Sequence, residues 1–475
     1  MTTNSLLSRR TEETSTASSA LKTISSDTGR PTSAEDPVAH SILNPSIKSH
    51  MPLITDSMFS MRTFDAERDL PIVYCHSYNM YMFGAELLHQ FDTKKYGKIA
   101  RYLNDDFLDT QFARRLIPGE TEGKGNVDNR NNPRALRYLA PNRPIRFEEL
   151  KIHHTERYVY STHDDKSLVA KVLEIWSLNL FPFCLILNRI LIPLEWQVAG
   201  TIFASHLAMQ HGWALNLGGG FHNATADSGK TFCLFSDVLL AMKFIWRKHP
   251  LQKFMIIDVD AHQATGIEHD LQTLPRNLRE MVFMLDAFNY SVQPDDREAD
   301  GEIDLKLEFK RFTGDDTYLK RLEAALIDAF QRFKPTLIFY IAGQDVLKGD
   351  QLGLMNLSDE GLRQRDELVF THAVEHNKCP IVMLLGGGYM GRGAKVQADS
   401  IRNLFAKGLI WGGHRSGQRS LTRPRNKPPS GSAKANGKIL KHTAEVDAVS
   451  QSVSLPKGSG RRKKIISRVS KKDKK

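Results

Sequence analysis

The chain has 475 residues, of which 41% are apolar and 25% charged. That length suits one large α/β domain with tails, and the composition excludes a wholly disordered or collagen-like chain. The four cysteines (Cys75, Cys184, Cys233, Cys379) are scattered without C-x-x-C spacing, which argues against a disulfide scaffold, a zinc finger or a thioredoxin-type motif and points to a reducing compartment. The net charge of +11 is unevenly placed. From His414 to Lys475 there are 18 lysines and arginines against Glu445, Asp447 and Asp473, so this tail carries +15 and the other 413 residues sum to −4. The basic character belongs to the tail and not to the body.

Read in chain order, residues 1–60 hold few large apolar residues and are expected to form a disordered arm. Their Ser/Thr and Arg content hints at a transit peptide, but Glu12, Glu13, Asp27, Glu35 and Asp36 argue against one. Residues 61–413 are expected to form the folded body, interrupted by a polar, Gly/Asn-rich loop insertion at 119–134. Five short apolar runs read as buried parallel strands: Ile72–Cys75, Trp213–Leu217, Phe254–Ile257, Thr336–Ile341 and Ile381–Leu385. Amphipathic helices are expected over Asp237–Lys248, capped by Ser236, over Tyr318–Phe333, and from the N-cap Ser358 towards His376. Alternating strands and helices imply a doubly wound, mostly parallel α/β sheet with helices on both faces. The most apolar stretch, Ile175 to Leu194, is broken by Asn179, Pro182, Asn188, Arg189 and Pro193. It is read as buried core, not as a bilayer span, and no membrane partner is expected. Residues 414–475 have no periodicity and read as a second disordered segment.

Ligand sites in open α/β sheets lie beyond the carboxyl ends of the strands. Four of the expected strands end there in chemically loaded turns: Gly218-Gly219-Gly220-Phe221-His222-Asn223, Asp258-Val259-Asp260-Ala261-His262, Ala342-Gly343-Gln344-Asp345 and Gly386-Gly387-Gly388-Tyr389. In extended backbone Asp258, Asp260 and His262 share one side. Two carboxylates and an imidazole crowded together need a cation, and the run itself holds no lysine or arginine. Asp260, His262 and Asp345 would make three protein ligands with one position open, the arrangement of a catalytic zinc. Mn²⁺ or Fe²⁺ would accept the same donors. The glycine turns let backbone approach a substrate, which makes Gly220 and Gly388 candidate substrate-facing positions. His222 is a candidate base beside metal-bound water and Tyr389 a candidate donor to an oxyanion.

GGGFHN-x8-FC, IIDVDAHQ, AGQDVLKGD-x-LG and GGGY resemble the zinc-dependent histone deacetylases, and most closely their class IV. The resemblance runs from about Pro71 to Gly413 and includes HSYNM and H-x-FD. It implies the arginase/deacetylase-like α/β fold, Zn²⁺ held by Asp260, His262 and Asp345, and Tyr389 as the oxyanion-stabilising tyrosine. His222 becomes the first of the family's paired histidines with Asp258 as its supporting carboxylate, and Phe232 one wall of the acyl-lysine tunnel. A monovalent cation occurs beside the Asp258 segment in relatives.

The chain departs from the family at several points. The second histidine, the usual general base, is Asn223, and an amide cannot take a proton at neutral pH. The residue that should support it is Thr265, preceded by Ala264 in place of glycine. The aromatic opposite Phe232 is Gln293, and the glycine before Phe-Cys is Thr231. The resemblance therefore implies a hydrolase removing acetyl or longer acyl groups from protein lysine, weakened at one half of its machinery. The alternative is a zinc-binding pseudo-deacetylase serving as an acyl-lysine-binding scaffold. Acylated-lysine proteins, histones among them, are the implied partners.

Other features read as structural: His153 and His154 without an i, i+4 metal partner, His206 and His211 on a helix, Cys233 as a small buried hydrophobe, Cys379 in a turn. The clusters Arg461-Arg462-Lys463-Lys464 and Lys471-Lys472-Asp473-Lys474-Lys475 suit nuclear import or non-specific nucleic-acid contact. With no aromatic interleaved, base stacking is unsupported. The expected location is the nucleus, the cytoplasm or both.

Overall fold

The computed structural model describes residues 70–81, 92–107, 136–292 and 300–411. The arm before residue 61, the insertion at 119–134, Gln293 and the basic tail lie outside the described residues.

Among the described residues, seven strands form one sheet in which every pairing is parallel: β1 (Ile72–Val73), β2 (Trp213–Asn216), β3 (Phe254–Asp258), β4 (Val282–Asn289), β5 (Leu305–Phe309), β6 (Leu337–Ile341) and β7 (Ile381–Leu384). Their order is β1-β2-β7-β6-β3-β4-β5. All five expected strands are present, most a residue or two shorter. β4 and β5 were not expected. Asp286 and Asn289 interrupt the apolar run of β4, and β5 (Leu-Lys-Leu-Glu-Phe) alternates as an edge strand does.

Every residue of β2, β3, β6 and β7 is buried, which means helices cover both faces, as continuous apolar runs in parallel strands require. The helix Ile192–His211 packs on β2 and β7 and against the helix Asp237–Trp246. The helix Asp315–Arg332 lies on β4 and β5 and meets Asp359–Phe370, which in turn packs on Gly393–Ala406. Ser358 caps its helix as expected, accepting from the Gly361 N–H at 2.9 Å. Ser236 does not, for its side chain makes no capping bond. Its backbone N–H instead donates to His154 Nε2 at 3.0 Å.

The segment Ile175–Leu194 corrects a second expectation. It forms short helical turns with Trp176 and Leu180 each 73% exposed, while Ile175, Leu178, Ile186, Ile190, Leu191 and Leu194 enter the core. Pro182 and Asn179 break the periodicity, so no single apolar face can be buried. By length and composition the helical run Phe183–His211 could cross a membrane. Its stretch from Leu194 to Ala208 is instead packed almost entirely inside the protein.

Candidate active site

The four loaded turns follow β2, β7, β6 and β3, which are consecutive in the sheet. Parallel neighbours in register end at the same level, so their turns meet along one edge. HSYNM lies beneath that edge. Tyr78 donates its hydroxyl to Asn216 Oδ1 at 2.8 Å, and Gln197 Nε2 donates to the Tyr78 carbonyl at 2.9 Å.

Asp260, His262 and Asp345 present one ligand atom each within 4.8 Å of one another. His262 Nδ1 lies 2.7 Å from Asp345 Oδ2 and 3.1 Å from Asp260 Oδ1. The carboxylates are aimed by backbone. Asp260 accepts from the N–H groups of His262 (3.1 Å) and Gly387 (2.9 Å), and Asp345 accepts from the Ala261 N–H at 2.9 Å. Burial works against both carboxylates, raising Asp345 to about 7, while the neighbouring imidazoles hold Asp260 well below the ordinary range. Burial also works against charge on His262, yet its hydrogen bonds to Asp260 and Asp345 raise it well above its ordinary value. Positive charge is thus demanded at the point where the three groups meet. An imidazole proton meets that demand, and a divalent cation would meet it with O, O and N donors.

His222 and Asp258 stand beside this triad. His222 Nδ1 is 2.9 Å from Asp258 Oδ2, and its Nε2 is 3.8 Å from Asp260 Oδ1. Burial alone would lower the His222 pKa, but the two carboxylates raise it to about 9. Asn223 is buried at the same wall, and Thr265 donates its hydroxyl to Asn223 Oδ1 at 3.1 Å. The amide therefore has a fixed orientation, with its NH₂ directed away from Thr265.

Asp260, His262, Asp345, His222 and Asn223 form the floor of a narrow cavity of ≈ 90 Å³ whose lining includes Gly220, Gly388, Phe232, Tyr389, Glu174 and Leu352. The Phe232 and Tyr389 rings meet edge to face at 6.0 Å and 88°. Burial pushes the Tyr389 hydroxyl well above 10, which keeps its proton in place. Gly388 has φ +86°, and a Cβ there would press 2.5 Å from the Asp345 nitrogen. Only glycine lets this turn pass so close. Every site residue expected from the sequence and described by the structure reaches this one cavity or its immediate support.

The residues outside the cavity behave as structural groups. His153 Nε2 pairs with Asp270 at 2.6 Å, and His154 bonds the Ser236 N–H and the Ala226 carbonyl. His154 lies in a turn before the helix Glu156–Asp164, not at a strand end. His206 bonds its own helix at the Ile202 carbonyl. Burial raises the thiols of Cys233 and Cys379, which makes them poor nucleophiles.

Three supporting groups were not anticipated. Asp237 accepts from the N–H groups of Gly220 (2.9 Å) and Phe221 (2.8 Å) and from the Thr201 hydroxyl (2.6 Å), fixing the glycine turn after β2. Lys95, fully buried, donates Nζ to the carbonyls of Leu385 (3.2 Å), Gly386 (2.9 Å) and Gly387 (2.6 Å), with Nζ 5.2 Å from the Tyr389 ring centre. Burial lowers its pKa to about 8 against the pull of Asp260 and Asp345. The pair Arg365–Asp366 lies under the sheet edge. No local signal marked them: Lys95 and Arg365 lie in charge-rich helices and Asp237 in a helix first turn, where acidic residues are ordinary, and each partner lies far away in sequence.

Fold and site together define the class: a parallel α/β protein with a candidate metal centre at the carboxyl edge of its sheet. The family model for the histone deacetylase domain matches residues 124–404. Histone deacetylase 2 of Arabidopsis thaliana is 39% identical over 341 residues, which cover 71% of this chain and 79% of that protein. The acetoin utilization protein AcuC of Staphylococcus aureus is 26% identical over 201 residues, 40% of this chain and 51% of that one. A crystal structure of the HDA15 HD domain superposes with a TM-score of 0.51 at 15% identity, covering 72% of this chain and 88% of that chain. The chain belongs to the histone deacetylase family, and it is a deacetylase-like hydrolase.

One departure has a visible conformational cost. Thr231 sits at φ +48° and Phe232 at φ +65°. The left-handed region disfavours a β-branched residue by about 1–2 kcal/mol. Thr231→Gly is expected to raise stability by about 0.5–1 kcal/mol, the difference after the added unfolded-state freedom of glycine. Urea unfolding of the two proteins measures it.

Proposed function

We propose that this chain is a zinc-dependent deacylase that removes acetyl or longer acyl groups from protein lysine. The observation that carries the reading is the convergence of Asp260, His262 and Asp345 on one point at the floor of a cavity walled by Phe232 and Tyr389. These three residues would hold the zinc. When bound, it supplies Lewis-acid polarisation of the amide carbonyl and a lowered pKa for the attacking water.

The chain's own groups do the rest. Phe232 and the Tyr389 ring hold the lysine's apolar stem, and the glycine turns at Gly220 and Gly388 let it descend to the floor. His222 is oriented by its Nδ1–H bond to Asp258, so its Nε2 faces the reacting centre. There its neutral form takes a proton from water and its protonated form gives one to the departing lysine amine, the raised pKa favouring the second role. Tyr389 donates its hydroxyl to the developing oxyanion. Asn223 accepts no proton, but with Oδ1 engaged by Thr265 its NH₂ serves as a fixed donor at the wall where a second imidazole would stand. A monovalent cation near the Asp258 segment belongs to the same reading.

A second reading is favoured by the Asn223–Thr265 pair: a zinc-binding scaffold that holds acyl-lysine with little turnover. In either case acylated-lysine proteins such as histones are the proposed partners. The basic tail is proposed to serve nuclear import or non-specific nucleic-acid contact, with the protein in the nucleus, the cytoplasm or both.

Removing Asp260 or His262 leaves two ligands, which rarely hold a catalytic zinc. Asp260→Ala and His262→Ala should therefore lose most bound zinc while staying folded, as elemental analysis and circular dichroism would show. Full occupancy in either variant rejects the ligand set.

A positioned general base contributes about 10²–10⁴ in rate. Asn223→His should raise kcat on an acyl-lysine peptide by about 10–100-fold, short of the full range because Thr265 lacks the carboxylate that would orient the new ring. His222→Ala should abolish turnover, and Tyr389→Phe should lower it with zinc retained. No rise in the Asn223→His protein, with zinc and peptide both bound, selects the scaffold.

Deleting residues 414–475 should leave zinc content and peptide turnover nearly unchanged and reduce nuclear accumulation together with salt-sensitive binding to DNA or RNA. An unchanged nuclear signal counts against import through the tail.

A further inference from the structure

Beneath the carboxyl edge of the sheet lies an ion pair that the chemistry above does not use. Arg365 and Asp366, adjacent in the helix Asp359–Phe370, are both completely buried. Arg365 Nε donates to Asp366 Oδ1 at 3.0 Å, and Nη2 lies 2.9 Å from the same oxygen outside hydrogen-bonding geometry. Asp366 is in turn fixed from two other elements. The Tyr340 hydroxyl of β6 donates to its Oδ1 at 2.5 Å, and Gln397 Nε2 (3.1 Å) and the Ser400 hydroxyl (2.6 Å) donate to its Oδ2.

With one side of the guanidinium held by Asp366, Nη1 reaches two backbone carbonyls. It donates to Gly343 O at 2.5 Å and approaches Val259 O at 3.5 Å. Val259 directly precedes Asp260, and Gly343 stands two residues before Asp345. One cation therefore touches both of the turns that carry the candidate metal ligands. Gly343 also packs flush on the Asp260 carboxylate, leaving no room for a side chain between them. A shift of the Gly343 peptide would move Asp345 and press on Asp260 together.

We infer that Arg365, held by Asp366, is a positioning residue that sets the separation of the Asp260 and Asp345 turns and thereby the affinity of the site for a divalent cation. The inference rests on the proposed zinc site. Helices usually support a sheet through apolar packing, and burying a guanidinium is costly, the more so here because Nη2 has no hydrogen-bond partner among the described residues. A planar fork delivers donors in fixed directions, which a lysine ammonium on a flexible stem does not. Groups that orient metal ligands without touching the metal typically change affinity by about 10–100-fold when lost.

The test uses the full chain, zinc alone as the probe, and competition against a chromogenic chelator as the readout. Arg365→Lys keeps the charge opposite Asp366 and removes the fork. Arg365→Gln is a second variant that retains a shorter planar donor. Thermal midpoints of the metal-free proteins, taken in excess EDTA, report the fold separately. The expected result is a zinc dissociation constant raised about 10–100-fold in Arg365→Lys, with a metal-free midpoint close to that of the natural protein. Wild-type zinc affinity in a folded variant overturns the inference. So does a loss of affinity matched by an equal loss of metal-free stability in both variants, because the pair would then serve the fold alone. Failure of the natural protein to bind zinc is a different result: it rejects the zinc site itself, and this inference with it.

Discussion

Three carboxylates, Asp258, Asp260 and Asp345, are buried within one cluster, and the arrangement of the sheet edge follows from the need to compensate their charge there. An isolated buried carboxylate would take up a proton. Here backbone N–H groups from His262, Gly387 and Ala261, together with two imidazoles, hold the charge firmly at Asp260 and only partly offset burial at Asp345, which stays raised to about 7. Such an array needs turns whose amides point inward. That requires glycine where the chain reverses tightly and parallel strands ending at one level. The cluster is stable only with a positive charge at its centre, and the same requirement is what fits it to a metal.

The support beneath the cluster is itself ionic. Asp237 holds the turn after β2, Lys95 the turn after β7, and Arg365 the turns after β3 and β6. Each of these charged groups bonds backbone atoms at strand ends, where ladder partners run out. Lys95 and Arg365 bind carbonyls and Asp237 binds N–H groups, so the sign of each buried charge matches the polarity of the turn it holds. Loop ends without such anchors would be free to drift, and a site assembled from four loops tolerates little drift.

The site is also asymmetric. On one side His222 keeps its carboxylate partner and reaches the centre through Nε2. On the other, Asn223 is tied to Thr265, a pair of neutral groups that can donate and accept hydrogen bonds but cannot move a proton at neutral pH. Thr231, in a left-handed conformation next to Phe232, belongs to the same side. Of the described departures from the family, Asn223 and Thr231 line the cavity and Thr265 supports Asn223, while Asp260, His262 and Asp345 are all retained.

Much of this was legible from the amino-acid sequence alone. Continuous apolar runs marked the central strands because a parallel sheet buries both faces. The loaded turns marked the site because ligands gather at the carboxyl ends of such strands, and Asp-x-Asp-x-His at one of these ends carries its own chemistry in a period-two pattern. Strand β4 and the edge strand β5 escaped, since Asp286 and Asn289 in one and alternating lysine and glutamate in the other break the apolar signal. The exposure of Trp176 and Leu180 escaped too, because hydrophobicity records what a residue prefers and not whether a surface exists to cover it. What only the tertiary structure decided is which distant partner each buried charge would meet: Lys95 with carbonyls near residue 386, Asp237 with the turn at Gly220, Arg365 with turns at Val259 and Gly343. Local pattern follows from the periodicity of the backbone, whereas these pairings depend on strand order and helix packing, which no single stretch of sequence encodes.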